Sequence, residues 1–232
     1  MPARPQATLE SPTIVFDLDG TLVDSVLDLL PCLNHTIATD GLSPLTRSDI
    51  GQVVGKGAME MIRRAYALQN RTLEAEHHKR LLGVFLAEYE THTARHTVFF
   101  DHALESLDQF AADGWKIAVC TNKYEYLARK LLDALGTTHR FHAITGGDTF
   151  DFKKPDPRHI VETVRQADGS PQRAVMVGDS INDIEAAKRA GIPVIAVDFG
   201  YTDVPVRELG PDIVLSHFRD MWPTAKKLIN DS

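Results

Sequence analysis

Short apolar runs recur along the chain, each bounded by polar or turn-forming residues. They fall at residues 13–16 (TIVF), 116–120 (KIAVC), 141–145 (FHAIT), 174–177 (AVMV), 194–197 (VIAV) and 213–215 (IVL). Most are continuous rather than alternating and rich in β-branched residues, which is the pattern of strands buried on both faces of a parallel sheet. Between most of them the apolar positions switch to helical spacing. The segments 103–113, 124–135 and 183–190 read as helices, and Gly114, Gly136 and Gly191 follow them as C-caps. Strand and helix in alternation predict an α/β protein with a doubly wound parallel sheet.

Residues 26–96 break this rhythm. Segments 27–39, 58–68 and 74–91 are amphipathic with helical period, and no convincing strand lies among them. The pattern predicts an all-helical domain, residues 26–96, inserted after the first strand. Residues 1–25 and 97–232 then form the core.

Composition narrows the classes. The 232 residues suffice for a core with a smaller partner domain. Net charge is −7 and leaves no basic footprint for nucleic acid. A protein of this charge that handles an anion must place its cations locally. Cys32 and Cys120 are far apart and form no C-x-x-C, which fits a reducing compartment better than a disulfide framework. Residues 1–12 lack the apolar stretch of a signal peptide, and no run approaches the length of a membrane span. The expectation is a cytoplasmic monomer or homodimer with no nucleic-acid or membrane partner.

In open parallel sheets, ligands bind where the strands deliver their carboxyl ends. Asp17 and Asp19 follow the first strand, Thr121 and Asn122 the second, and Gly178 to Asp183 (GDSIND) the fourth. Lys153-Lys154-Pro155 lies just beyond the third. Asp17 and Asp19 are two apart, so on an extended backbone they lean to one face. Asp179 and Asp183 sit at a strand-to-helix turn. Converging carboxylates without histidine or thiol describe a hard-cation site, for which Mg²⁺ is the natural occupant. A lone D-x-D is equally well a solvated turn, but four strand ends in register are not. Asp183 also suits the cap of the helix it opens. His92 and His96 have zinc-pair spacing without the glutamate of H-E-x-x-H, and solvated helix faces suffice for them. Cys120, inside a buried run, reads as a small core hydrophobe.

IVFDLDGTLVDS, VCTNK, KKPDP and VGDSINDIEAA, in that order, resemble the four motifs of the haloacid dehalogenase superfamily. The likeness covers nearly the whole Rossmann-like core, and the helical insertion resembles that superfamily's small cap domain. The resemblance is strongest to its bacterial phosphoglycolate phosphatases. It implies that Asp17 attacks phosphorus and forms an aspartyl-phosphate. Asp19 would protonate the leaving alcohol and then activate water. Thr121 and the backbone amide of Asn122 would hold the phosphoryl oxygens, and Lys154 would neutralise the phosphoryl group and the nucleophile. Asp179, the Asp17 carboxylate and the Asp19 carbonyl would hold Mg²⁺, with Asp183 supporting the site through water or Lys154. The aspartate at position 19 separates a phosphatase from the dehalogenase and phosphonate-hydrolase branches.

Substrate choice rests elsewhere. Lys56 lies in the Gly-rich stretch 54–58 (VGKGA) before a helix, a loop suited to presenting N–H groups to an anion. The expectation is that it reads the carboxylate of a small phosphorylated metabolite, 2-phosphoglycolate first of all. A solvated loop lysine is the competing reading. Pyrophosphate, a sugar phosphate, a β-phosphoglucomutase-like transfer and a non-catalytic binding module on the same fold remain as alternatives.

Overall fold

A computed structural model describes residues 11–230. The reading of residues 1–12 therefore falls almost wholly outside the described residues. Strand β1 (Thr13–Phe16) leads through β2 (Val23–Asp24) into α1 (Val26–Ala38), α2 (Ile50–Val53), α3 (Ala58–Leu68) and α4 (Ala75–His92). The chain returns through β3 (Val98–Phe99), which pairs antiparallel with β2. It continues with α5 (Ala103–Ala112), β4 (Lys116–Cys120), α6 (Glu125–Ala134), β5 (Ala143–Thr145), α7 (Pro157–Gln166) and β6 (Ala174–Gly178). Helix α8 (Ile181–Ala190), β7 (Val194–Val197), β8 (Ile213–Leu215) and α9 (Met221–Asn230) complete it.

Six strands form one parallel sheet in the order β5-β4-β1-β6-β7-β8. The order turns back at β1, so a crevice opens at its carboxyl end between β4 and β6. The continuous apolar runs have the predicted cause. Ile14 and Phe16 face one layer, with Ile117, Val119, Val175 and Val177, under α5, α6 and α9. Val15 faces the other, with Ala118, Cys120 and Met176, under α7 and α8. Gly114, Gly136 and Gly191 take the left-handed backbone that their cap positions call for.

Helices α1 to α4 bury a cluster of their own, centred on Leu33, Ile37, Ile62, Leu81, Phe85 and Tyr89. Leu127 of α6 and Tyr201 also belong to it. Asp28 of α1 is buried and ties this layer to the returning chain. Its carboxylate accepts the N–H groups of His96 and Thr97 (Oδ2 at 3.1 and 2.9 Å) and the Thr97 hydroxyl at 2.6 Å. No helix among the described residues is long and apolar enough to cross a membrane.

Two differences from the sequence reading are local. The strand expected at 141–145 begins only at Ala143, because residues 138–140 form a tight 3-10 turn. The helix expected from Asp183 starts at Ile181, with Ser180 as its cap.

Candidate active site

The crevice gathers residues from all the predicted strand ends. Asp17 is the first residue past β1. Its N–H bonds to the Val177 carbonyl (2.9 Å), so β1 pairing continues up to the carboxylate. Leu18 is fully buried and sends Asp17 and Asp19 to separate partners. Gly20 follows at φ +87°, and a Cβ there would stand 2.5 Å from Asp179 Oδ2. Only glycine fits that conformation beside that neighbour.

Lys154 is 2% exposed, and its ammonium is set among three oxygens. Its Nζ lies 3.0 Å from Asp17 Oδ1, 2.6 Å from Asp183 Oδ1 and 2.5 Å from the Cys120 carbonyl. Burial alone would depress this ammonium, but the Asp17 and Asp183 charges hold its pKa above the ordinary lysine value. Lys153, its neighbour, is absent from this set, so Lys154 is the central cation. Below it, the N–H of Lys154 donates to Nδ1 of the buried His159 at 3.2 Å.

Asp179 ends β6. It accepts the Thr21 hydroxyl (2.8 Å) and the Tyr201 N–H (2.7 Å). Asp183 does two things at once. Its Oδ2 accepts the Ser180 N–H (3.0 Å) and hydroxyl (2.6 Å) in a capping box, while its Oδ1 takes Lys154. Asp17, Asp179 and Asp183 each bring an oxygen within 4.8 Å of the others. Burial, opposed by Lys154 and reinforced by Asp183, raises Asp17 to about 6. Burial and the two neighbouring carboxylates raise Asp179 to about 8. Three buried carboxylates thus face one buried ammonium, and the surplus negative charge fits an all-oxygen site for a hard divalent cation.

Asp19 does not join that cluster through its side chain. Its carboxylate accepts the Ser25 hydroxyl at 2.5 Å and Lys123 Nζ at 2.9 and 3.0 Å. Lys123 belongs to VCTNK but drew no role in the sequence reading. The contact joins positions 104 residues apart, and the only sequence signal was its place directly after Thr121-Asn122. Tyr201, which orders the segment after Asp24 through its hydroxyl, gave no signal at all.

Thr121 and Asn122 directly follow β4 and line the cleft. The side-chain amide of Asn122 donates to the Lys154 carbonyl at 3.1 Å. It also reaches the Gly55 carbonyl at 3.4 Å, which the Asn182 amide holds at 3.1 Å. The cleft encloses ≈ 490 Å³ out to open solvent. Asp17, Asp19, Thr121, Asn122 and Lys123 form its polar floor. Leu29, Val54, Met61, Phe85 and Tyr89 roof it from the helical layer. Gly55 and Gly57 line it too. Lys56, expected to read the substrate, is half-buried between them and does not line it.

A doubly wound sheet that gathers a buried aspartate–lysine–aspartate cluster at its switch point defines a doubly wound α/β protein with a ligand site at its strand ends. Residues 14–197 match the haloacid dehalogenase-like hydrolase family. A phosphoglycolate phosphatase of Mesorhizobium japonicum is 49% identical over 210 residues, covering 90% of this chain and 92% of that protein. One of Agrobacterium fabrum is 48% identical over 221 residues, covering 95% of each. A solved structure from Haemophilus somnus, described as a predicted phosphoglycolate phosphatase, superposes with a TM-score of 0.85 at 28% identity. It covers 94% of this chain and 99% of its own. The chain belongs to the haloacid dehalogenase-like hydrolase family and is an enzyme of the phosphoric monoester hydrolase class, similar to phosphoglycolate phosphatases.

Proposed function

We propose that this chain is a cytoplasmic, Mg²⁺-dependent phosphatase that hydrolyses 2-phosphoglycolate through an aspartyl-phosphate on Asp17. The observation that carries the reading is the meeting of Asp17, Lys154, Asp179 and Asp183 at one cleft floor. Asp17, Asp179 and the Asp19 carbonyl are the proposed cation ligands. Asp183, with both oxygens engaged by Lys154 and Ser180, supports them indirectly. When bound, the cation offsets the crowded carboxylates, keeps Asp17 ionised and draws charge from the phosphoryl oxygens.

Asp17 attacks phosphorus, and the bond to the leaving oxygen breaks. Asp19 delivers a proton to that oxygen and then accepts one from the water that cleaves the acyl phosphate. Lys154 neutralises charge on the nucleophile and the transferring group, and Thr121 with the backbone N–H of Asn122 orients the phosphoryl oxygens. Residues 26–96 act as the cap that closes this cleft. A mutase needs an acid or base on that cap. Among the described residues, the helical layer lines the cleft with no carboxylate or imidazole, which favours hydrolysis.

Asp17→Asn tests the nucleophile. Turnover of an aryl phosphate should fall by at least about a thousandfold while the circular-dichroism spectrum and Tm are kept. Activity within about tenfold of the wild type would remove covalent catalysis at Asp17.

A further inference from the structure

We infer that Lys123 and Tyr89, rather than the loop lysine Lys56, form the subsite that reads the carboxylate of the substrate. The inference rests on the phosphoglycolate reading above and assigns its selectivity to particular atoms. The carboxylate of such a substrate belongs to the leaving group. It sits one carbon beyond the ester oxygen that Asp19 protonates, so its receptor must stand beside Asp19 and face the cleft.

Lys123 meets both conditions. It is 8% exposed, lines the cleft, and places Nζ 2.9 Å from Asp19 Oδ2 and 3.0 Å from Oδ1. Lys154, the other cation of the site, lies beneath Asp17 and is not part of the cleft wall. Lys123 is thus the lysine among the described lining residues. An ammonium has three donors. The two Asp19 oxygens account for two, and the third faces Tyr89 at the cleft wall, where an anion between the two would share it.

Tyr89 supplies an independent observation. It is fully buried in the helical layer and lines the same cleft, and its ring lies under Lys123 with Nζ 4.5 Å from the centroid. Its hydroxyl lies beside the Lys123 ammonium, a donor, and its own O–H has no acceptor among the described residues. Buried hydroxyls are rarely left unpaired, and this one is available to an acceptor in the cleft. A substrate carboxylate that accepts from both would be charge-paired and hydrogen-bonded in a roof otherwise made of Leu29, Val54, Met61 and Phe85, where an unpaired carboxylate would be costly to bury. Because Tyr89 is on α4 and Lys123 is on the core, the subsite also spans the two layers.

The experiment compares 2-phosphoglycolate with 2-hydroxyethyl phosphate, the same skeleton with a neutral CH₂OH in place of the carboxylate. The readout is the ratio of the two kcat/KM values. Lys123→Met should lower that ratio at least about tenfold, chiefly through KM for 2-phosphoglycolate, as expected for a lost charge-assisted hydrogen bond. A residue that only positions Asp19 would slow both substrates equally in kcat and leave the ratio intact, and that result overturns the assignment. Loss of the ratio in Lys56→Ala with retention in Lys123→Met overturns it in favour of the loop. Should Lys123→Met fail to fold, Tyr89→Phe decides, because it removes one hydroxyl that no protein acceptor holds. Its ratio should fall about three- to tenfold, and an unchanged ratio overturns the subsite. Wild-type enzyme that hydrolyses phosphomonoesters with no preference between the two compounds removes the substrate reading itself, and the subsite with it.

Discussion

His159 is a side chain whose placement makes the fold sensitive to acid. It is fully buried beneath Lys154, and burial together with the Lys154 charge pushes its pKa down from an ordinary 6.5 to about 3. In the folded chain the ring stays neutral down to that range, whereas in the unfolded chain it takes a proton near pH 6.5. Below 6.5 the unfolded state binds more protons, so stability falls as pH drops and levels off only near pH 3. Wild type should lose roughly 2–3 kcal/mol between pH 7 and 4.5 that His159→Gln does not lose, read from urea unfolding at both pH values. Nothing in the sequence marked this histidine, because its cost comes first from the burial that packing of α7 imposes and only then from Lys154, five residues earlier. The chemistry-bearing carboxylates were different. Asp17 and Asp179 interrupt apolar strands at their ends, where a fold has no use for charge, and that anomaly is visible in one dimension. Lys123 looked like an ordinary loop lysine until Asp19 and Tyr89 were placed around it.

At the scale of elements, β1, β4, β6 and β7 were legible because a strand buried on both faces must be apolar throughout. The two-residue strands β2 and β3 are too short for any period to show. Helix α7 carried a readable start, since Asp156 caps it and Pro157 takes its first turn. That signal was absorbed into the chemistry of KKPDP. The joint between the helical layer and the core was not legible at all. Asp28 lies on the buried face of an amphipathic helix, where a charge reads as an exception to the pattern. Its partners His96 and Thr97 are about seventy residues away. Asp28→Ala would strand buried donors at the place where α1 meets the returning chain. We expect it to cost about 2–4 kcal/mol, measured by chemical unfolding, well beyond the usual cost of a surface substitution.

Across the whole molecule, sequence alternation implied a doubly wound sheet but not its strand order, which depends on pairings such as Ile14 with Ile117 and Val175. The helical insertion was legible as a break in rhythm, while Leu127 and Tyr201 in its core cluster were not. Because three buried carboxylates outnumber the one ammonium among them, cation binding should be visible as stability. Saturating Mg²⁺, at about a hundred times its Kd, should contribute about 2.7 kcal/mol and raise Tm by several degrees. Asp179→Asn should blunt that rise, and a flat Mg²⁺ titration by thermal unfolding would contradict the cation site. The sheet order also has a consequence for how the molecule ages. Asp17 hangs from a strand hemmed in by two others and shielded above and below, so it sits in the portion slowest to breathe and slowest to exchange its amide protons. Lids and loops around it can flutter or be clipped without moving it. Warming therefore has no mild way to disarm the nucleophile: the carboxylate goes out of place only when the sheet itself comes apart.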